Sequence, residues 1–244
     1  MQLYSKVDIG RVRASNQDAA DVFMIADDVA FAVVCDGMGG ASGGDIASST
    51  AISDISDYVK RSYYPGMDNE KITQLLRNAI SSANYNIYKI SQENSELNGM
   101  GTTVVAAIVT NDHAVICHVG DSRAYLISDD IIQITTDHSV VQSLIESGKI
   151  TANEAKNFPE KNVITRALGV EPNVFADASV VPMKPDDKLL LCTDGLTNFI
   201  ETSDILEIFN RNHTSFVAEL LVNAANSGGG GDNISVVIVS KERG

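Results

Sequence analysis

Two periodicities alternate along this chain. Apolar runs of strand length recur at 29–35, 102–109 ("TTVVAAIV"), 114–119 ("AVICHV"), 123–128 ("RAYLIS"), 188–193 ("KLLLCT") and 234–240 ("ISVVIVS"). Some are separated only by short polar turns, "TNDH" at 110–113 and "GDS" at 120–122. Turns that short join antiparallel neighbours, because a parallel crossover needs roughly a dozen residues or more, so 102–128 reads as a meander. Other segments keep the three-four spacing of one buried helix face. In 69–94 these positions are Ile72, Leu75, Leu76, Ala79, Ile80, Ala83, Ile87 and Ile90; in 45–59 they are Ala47, Ala51, Ile52, Ile55 and Val59. Asp45 is favourably placed at the start of the second of these. Shorter helices are predicted at 138–147, 203–211 and 214–226.

Helix pairs inserted among antiparallel strands predict an α+β layered domain rather than a doubly wound parallel sheet. There is no internal repeat and no linker-like stretch, so residues 1–244 read as one domain. The least patterned region, 148–170, reads as a surface flap, and "SGGGGDN" at 227–233 as a tight connection between a helix and a strand.

Composition changes this picture little. A chain of 244 residues that is 44% hydrophobic is long enough to bury a substantial core. The N-terminus has no basic region followed by an apolar stretch, and no run approaches membrane-spanning length. Cys35, Cys117 and Cys192 lie singly in strand-like runs. An odd number of separated cysteines argues against a disulfide framework and for a reducing compartment, so a cytoplasmic location is expected. The net charge of −14 argues against nucleic acid or an anionic membrane as partner. Most of that acidity serves solubility, but carboxylates that bind cations look the same in a charge count.

The candidate chemistry begins where apolar runs end. In "FAVVCDGMGGASGGDIAS" (31–48) a core strand stops at Asp36, followed by Gly37, Gly39, Gly40, Gly43 and Gly44. Neither phosphate-loop reading fits: a dinucleotide fingerprint needs its third glycine at Ser42, and a Walker loop needs lysine where Asp45 follows Gly44. "CHVGDSR" (117–123) has the Cys-x5-Arg spacing of cysteine-dependent tyrosine phosphatases, but Arg123 opens a strand-like run rather than a helix, so Cys117 reads as a core residue.

Aspartates meet strand ends four times: Asp36, Asp121 in the turn after 114–119, Asp194 after "LLLCT", and Asp232 before "NISVVIVS". Asp-Gly is a common turn pair, yet turn chemistry alone does not predict four distant strands each presenting a carboxylate. If the ends converge, the cluster holds oxygen donors without histidine or cysteine, a site for Mg²⁺ or Mn²⁺. The glycines then let a backbone carbonyl turn toward an ion and let the chain leave without collision. Arg13, in "GRVRASNQD" (10–18), is either one half of a surface salt bridge or a bidentate clamp for a phosphate.

The ordered set "RASNQD", "CDGMGG", "GTTVVAAIV", "HVGDSRAYL", "TTDHS", "ITRALG", "LLLCTDGL" and "GGDNISVVIV" resembles the metal-dependent protein phosphatases (PPM family, type 2C), their short bacterial members above all, over almost the whole chain. The resemblance implies a central antiparallel β-sandwich flanked by antiparallel helix pairs in four layers, α-β-β-α, with a flap at about 148–168. It implies hydrolysis of phosphoserine and phosphothreonine in proteins by a metal-bridging hydroxide, with two Mn²⁺ or Mg²⁺ ions and a third, weaker one.

On the same ground Asp36 bridges two metals and Gly37 supplies a backbone oxygen to one. Asp194 and Asp232 bind the other, Asp18 acts through metal-bound water, Asp121 serves the third ion, and Arg13 holds the substrate phosphate. Two positions depart from wider family patterns: Met38 stands where some members have histidine as a general acid, and Gln17 where many have glutamate. His138, in "TTDHS", fits the pattern and is expected to make a structural hydrogen bond.

The implied partners are phosphorylated proteins and an opposing Ser/Thr protein kinase; no nucleic acid or membrane is expected, and the chain should be a monomer. Two alternatives remain: a phosphatase dedicated to one regulatory phosphoprotein, of the anti-sigma-factor-antagonist type, and a non-catalytic phosphoprotein-binding relative. The usual mark of the latter is loss of metal aspartates, and all are present.

Overall fold

The computed structural model describes residues 1–155 and 158–241, with positions 40–42 described by their backbone alone. The strands are β1 (Gln2–Asp8), β2 (Asp18–Ala26), β3 (Val29–Met38), β4 (Gly101–Thr102), β5 (Val104–Val109), β6 (His113–Val119), β7 (Arg123–Ile127), β8 (Ile131–Gln133), β9 (Asp177–Pro182), β10 (Lys188–Cys192) and β11 (Ile234–Ser240). The helices are α1 (Gly40–Ser62), α2 (Asn69–Glu93), α3 (Val140–Glu146), α4 (Ala152–Ala155), α5 (Asp194–Thr197), α6 (Thr202–Arg211) and α7 (Thr214–Ser227). Among the described residues no helix is long and apolar enough to cross a membrane.

Two antiparallel sheets form the centre, one ordered β1-β11-β10-β7-β8 and the other β2-β3-β5-β6-β9, with β4 added to β3. The inner strands β3, β5, β6, β10 and β11 are apolar on both faces because each sheet is covered twice. Along β3, Ala30, Ala32 and Val34 face the other sheet, meeting Leu189, Leu191, Val237 and Val239 in one core. The alternate residues Phe31, Val33 and Cys35 face outward and pack on α1 and α2 through Ala51, Ile55, Leu76 and Ile80. On the other side Leu190, Cys192, Val236 and Ile238 meet Ile205, Phe209, Val217 and Leu221 of α6 and α7. The period of two along each strand therefore sorts side chains between neighbouring layers, which builds the expected α-β-β-α stack.

Two expectations are corrected. The segment 102–128 is not a continuous meander: β5 and β6 pair, but β7 belongs to the opposite sheet, beside β10. The "GDS" turn is thus a crossing between sheets, made at Gly120 with φ +106, a conformation that side-chain-bearing residues rarely adopt. Likewise α1 starts at Gly40, so Asp45 lies beyond its first turn. The glycines are tolerated inside a helix because they are needed for close packing. A Cβ on Gly43 would stand 2.9 Å from Met100 Cβ, and one on Gly44 would stand 2.7 Å from the Gly37 carbonyl carbon.

The flap predicted at 148–168 contains α4 and is tied down at its end, where Leu168 bridges Thr102; positions 156–157 of that span lie outside the described residues.

Candidate active site

Register alone delivers the predicted aspartates to one end of the sandwich. Asp18 and Asp36 are direct cross-strand partners in β2 and β3. Cys192, two residues before Asp194, pairs with Val236 on one side and with Arg123, two residues after Asp121, on the other. Val236 lies at the same end of β11 as Asp232. A cavity of about 500 Å³ opens there, lined by Asp36, Asp121, Asp194 and Asp232, with Arg13 on its rim and Asn162 and Ile164 from the flap.

The electrostatics are strained. Like charges directly opposite in an antiparallel pair are destabilising, yet Asp18 faces Asp36. Burial, followed by Asp18, Asp194, Asp121 and Asp232, holds the Asp36 carboxyl well above the ordinary carboxylate range. Burial pushes Asp18 up to about 7 against the opposing hydrogen bond from Thr193, and burial with the nearby Asp194 pushes Asp121 up to about 7. Asp194 is raised by burial and by Asp232, within hydrogen-bonding reach of Asp36.

Two carboxylate oxygens, Asp18 Oδ1 and Asp194 Oδ1, are buried without a hydrogen-bond partner, although such groups are normally satisfied. Orphaned, crowded oxygen donors with no nitrogen or sulfur among them fit hard divalent cations. Among the described residues no three acidic, histidine or cysteine side chains enclose a single point.

Arg13 makes the salt bridge of one of its two readings: its Nη2 donates to Asp232 Oδ2 at 2.8 Å, at the cavity rim with the guanidinium half exposed. Gly37 is bare for a reason beyond the carbonyl freedom expected of it. A Cβ there would collide with the carbonyl oxygens of Gly44 and Gln17, while its own amide donates to Gln17 O at 3.0 Å. Gly195 is bare because a Cβ would collide with the Asn233 carbonyl.

Several supporting residues went unassigned in the sequence. Asn233 pins the segment carrying Arg13: its Nδ2 donates to Ile9 O and Ser15 O, and its Oδ1 accepts from the Gln17 amide at 2.8 Å. Thr193 Oγ1 donates to Asp18 Oδ2 at 2.8 Å, Asn198 Nδ2 to Asp194 Oδ2 at 2.9 Å, and the Asp36 amide to Thr103 Oγ1 at 3.0 Å. Asn233 and Thr193 do stand inside "GGDNISVVIV" and "LLLCTDGL", so adjacency to an aspartate was a usable signal. His138 makes the expected structural hydrogen bond, accepting from the Gly120 amide at 3.1 Å.

The cysteine reading fails on geometry. All three thiols are buried, none is in a disulfide, and burial pushes Cys117 up to about 12. Arg123 is strand-borne and committed to Asp137, with Nη2 at 2.7 Å from Oδ2 and Nε at 2.9 Å from Oδ1.

Residues 11–230 match the family model described as protein phosphatase 2C. The chain is 42% identical over 239 residues to the serine/threonine phosphatase stp of Listeria monocytogenes, covering 97% of this chain and 94% of that protein. It superposes on serine/threonine phosphatase Stp1 from Staphylococcus aureus with a TM-score of 0.93 at 33% identity, covering 99% of this chain and 95% of that one. A structure of the catalytic domain of serine threonine protein phosphatase PstP in complex with two manganese ions is similar at TM-score 0.86 and 31% identity, over 99% and 98% of the two chains.

Proposed function

Because the chain belongs to the protein phosphatase 2C family and is a protein-serine/threonine phosphatase, we propose that its carboxylate-lined cavity holds two Mn²⁺ or Mg²⁺ ions for hydrolysis of phosphoserine and phosphothreonine in proteins. The observation that carries this reading is the facing pair Asp18 and Asp36, with buried, unpartnered oxygens on Asp18 and Asp194. Asp36 would be shared between the ions with the Gly37 carbonyl beside it, Asp194 and Asp232 would complete the second position, Asp18 would act through water, and Asp121 would serve a third, weaker ion. Bound there, the cations would supply activation of a water nucleophile near neutral pH and neutralisation of phosphoryl charge.

The protein's own part is binding and orientation. Arg13 exchanges the Asp232 carboxylate for phosphate oxygens, a charge-assisted contact that its planar fork makes in bidentate fashion. Thr193 and Asn198 hold Asp18 and Asp194 in place, and Asn233 sets the distance of Arg13 from the floor. Asn162 and Ile164 bring the flap to the cavity wall, where peptide flanking the phosphate would pass. Among the described residues no histidine lines the cavity, and Met38 occupies the wall instead. The lining thus offers no histidine as proton donor to the leaving serine or threonine oxygen, and water is the donor in this proposal. The chain is read as one domain, monomeric and cytosolic, opposing a Ser/Thr protein kinase; its three free buried cysteines support a reducing compartment.

Arg13→Ala tests the clamp. Loss of a charge-assisted hydrogen bond of about 1.5–3 kcal/mol should raise KM for a phosphothreonine peptide at least roughly tenfold. Mn²⁺ binding should tighten, because Asp232 loses its competing cation. An unchanged KM would remove Arg13 from phosphate binding.

A further inference from the structure

A hydrogen-bonded chain outside the four cavity aspartates joins the flap to one of them. Arg166, near the flap's end, donates Nη1 to Asp177 Oδ1 at 2.9 Å. The other oxygen, Oδ2, lies 3.2 Å from His138 Nε2. On the far side of the imidazole, Nδ1 accepts from the Gly120 amide at 3.1 Å, and the His138 amide donates to the Gly120 carbonyl at 2.9 Å. His138 thus grips Gly120 by both its backbone groups, and Asp121 is the next residue.

This arrangement fixes the tautomer. An amide N–H only donates, so Nδ1 is the bare nitrogen, and the proton sits on Nε2 facing Asp177. Burial, which holds His138 below the usual imidazole range, favours the neutral ring this requires. His138 is buried and stacked on His118, with ring centroids 4.6 Å apart, and His118 Nε2 is itself hydrogen-bonded to the Thr136 carbonyl at 2.9 Å. The ring is therefore held by contacts on its face as well as its edges.

The flap's backbone reaches the same residue. Thr165 N donates to His138 O at 2.8 Å, and Ser139 bridges Ile164, whose side chain lines the cavity. Glycine adopts the φ of +106 freely and carries no side chain to anchor the turn, so these contacts to His138 are what locate Gly120.

The geometry points to His138 as the positioning residue for Asp121, with Asp177 and Arg166 coupling that turn to the placement of the flap. The inference rests on the proposed role of Asp121 at the weaker cation position. Residues that orient a ligand without touching the ion commonly alter metal affinity by about 10–100-fold when removed. A purely architectural histidine would instead weaken every position alike, through general loss of stability.

The test is calorimetric titration of the full chain with Mn²⁺ alone, alongside limited proteolysis at the flap. His138→Ala is expected to weaken the weaker class of Mn²⁺ binding by about tenfold or more and leave the tighter class unchanged. His138→Asn should restore most of that loss, because its Oδ1 can take over from Nδ1 as acceptor for the Gly120 amide.

Arg166→Gln alters an exposed guanidinium away from the turn, so it gives a folded variant even if His138→Ala does not fold. It should weaken the same class by a smaller factor and speed cleavage of the flap. An unchanged weaker class in His138→Ala or Arg166→Gln would overturn the coupling, as would equal weakening of both classes. Asp121→Asn separates the underlying reading. If it leaves the weaker class intact, the role of Asp121 fails and this inference with it. If it abolishes that class while His138→Ala leaves it intact, only the positioning role fails.

Discussion

Asp36→Asn is expected to reduce turnover of a phosphothreonine peptide by at least on the order of 10³-fold, and at the same time to raise the melting temperature of the chelator-treated protein. The two effects share one cause. Asp36 faces Asp18 across β2 and β3 and is crowded by Asp194, Asp121 and Asp232. In the absence of cations this concentration of buried carboxyl groups is a liability to the fold, and an amide of the same shape removes part of it. With cations the same oxygens become the reason for the site, and the amide is a poor replacement. A gain of 1 kcal/mol would appear as roughly 2–4 °C in a chain of this size. Scanning calorimetry with excess chelator measures the first half and peptide turnover with Mn²⁺ the second. Loss of activity together with loss of stability would mean that Asp36 supports the fold and not the chemistry.

The pH dependence of stability should change sign with metal. Asp18 and Asp121 are pushed up to about 7, and Asp36 and Asp194 are raised in the same direction, from an unfolded value of about 3.9. Between those limits the folded protein holds more protons than the unfolded chain. Stability without metal is therefore full below about pH 4 in respect of these groups and is lost as pH rises through 7. His118 and His138 act the other way, since burial lowers both and favours unfolding as pH falls below about 6.5. Four raised carboxyls outweigh two lowered imidazoles, so the metal-free protein should melt higher at pH 5.5 than at pH 8. With Mn²⁺ the carboxylates must be ionised, and the order should reverse. Each cation position held at a hundred times its dissociation constant adds about 2.7 kcal/mol. Melting curves at the two pH values, with chelator and with Mn²⁺, give the comparison. The same slope under both conditions would contradict the assignment.

The parts of this fold that were legible in the sequence are those buried on both faces. β3, β5, β6, β10 and β11 read as continuous apolar runs because each is sandwiched between a helix layer and the other sheet. β1, β2 and β9 went unread because they lie at sheet edges: Ser5, Lys6 and Val7 are exposed, and β9 mixes Asp177, Ser179 and Pro182 with valines. Edge strands satisfy only one neighbour and tolerate such mixtures. The crossing at Gly120 was misread as a hairpin because turn length says nothing about which sheet receives the next strand.

Asp36, Asp121, Asp194 and Asp232 were legible as residues at the ends of core strands, where a charge is otherwise costly; Asp18 was named only through the family resemblance. The partners of these aspartates were not legible. Asn233 and Thr193 stand beside site aspartates, but their hydrogen bonds reach positions far away in the chain, and a local pattern does not say which ones. Nor could the glycines reveal their full reason: Gly37 and Gly195 are bare because another strand's or helix's backbone comes too close for a Cβ.

The central claim is that cations held by these carboxylates perform the hydrolysis. Its most direct test is phosphothreonine-peptide turnover by the chelator-stripped protein, with and without added Mn²⁺ and with vanadate in parallel. Turnover that appears only with Mn²⁺ and resists vanadate is the predicted result. Turnover that needs no metal and is blocked by vanadate would contradict it and return a cysteine nucleophile to consideration.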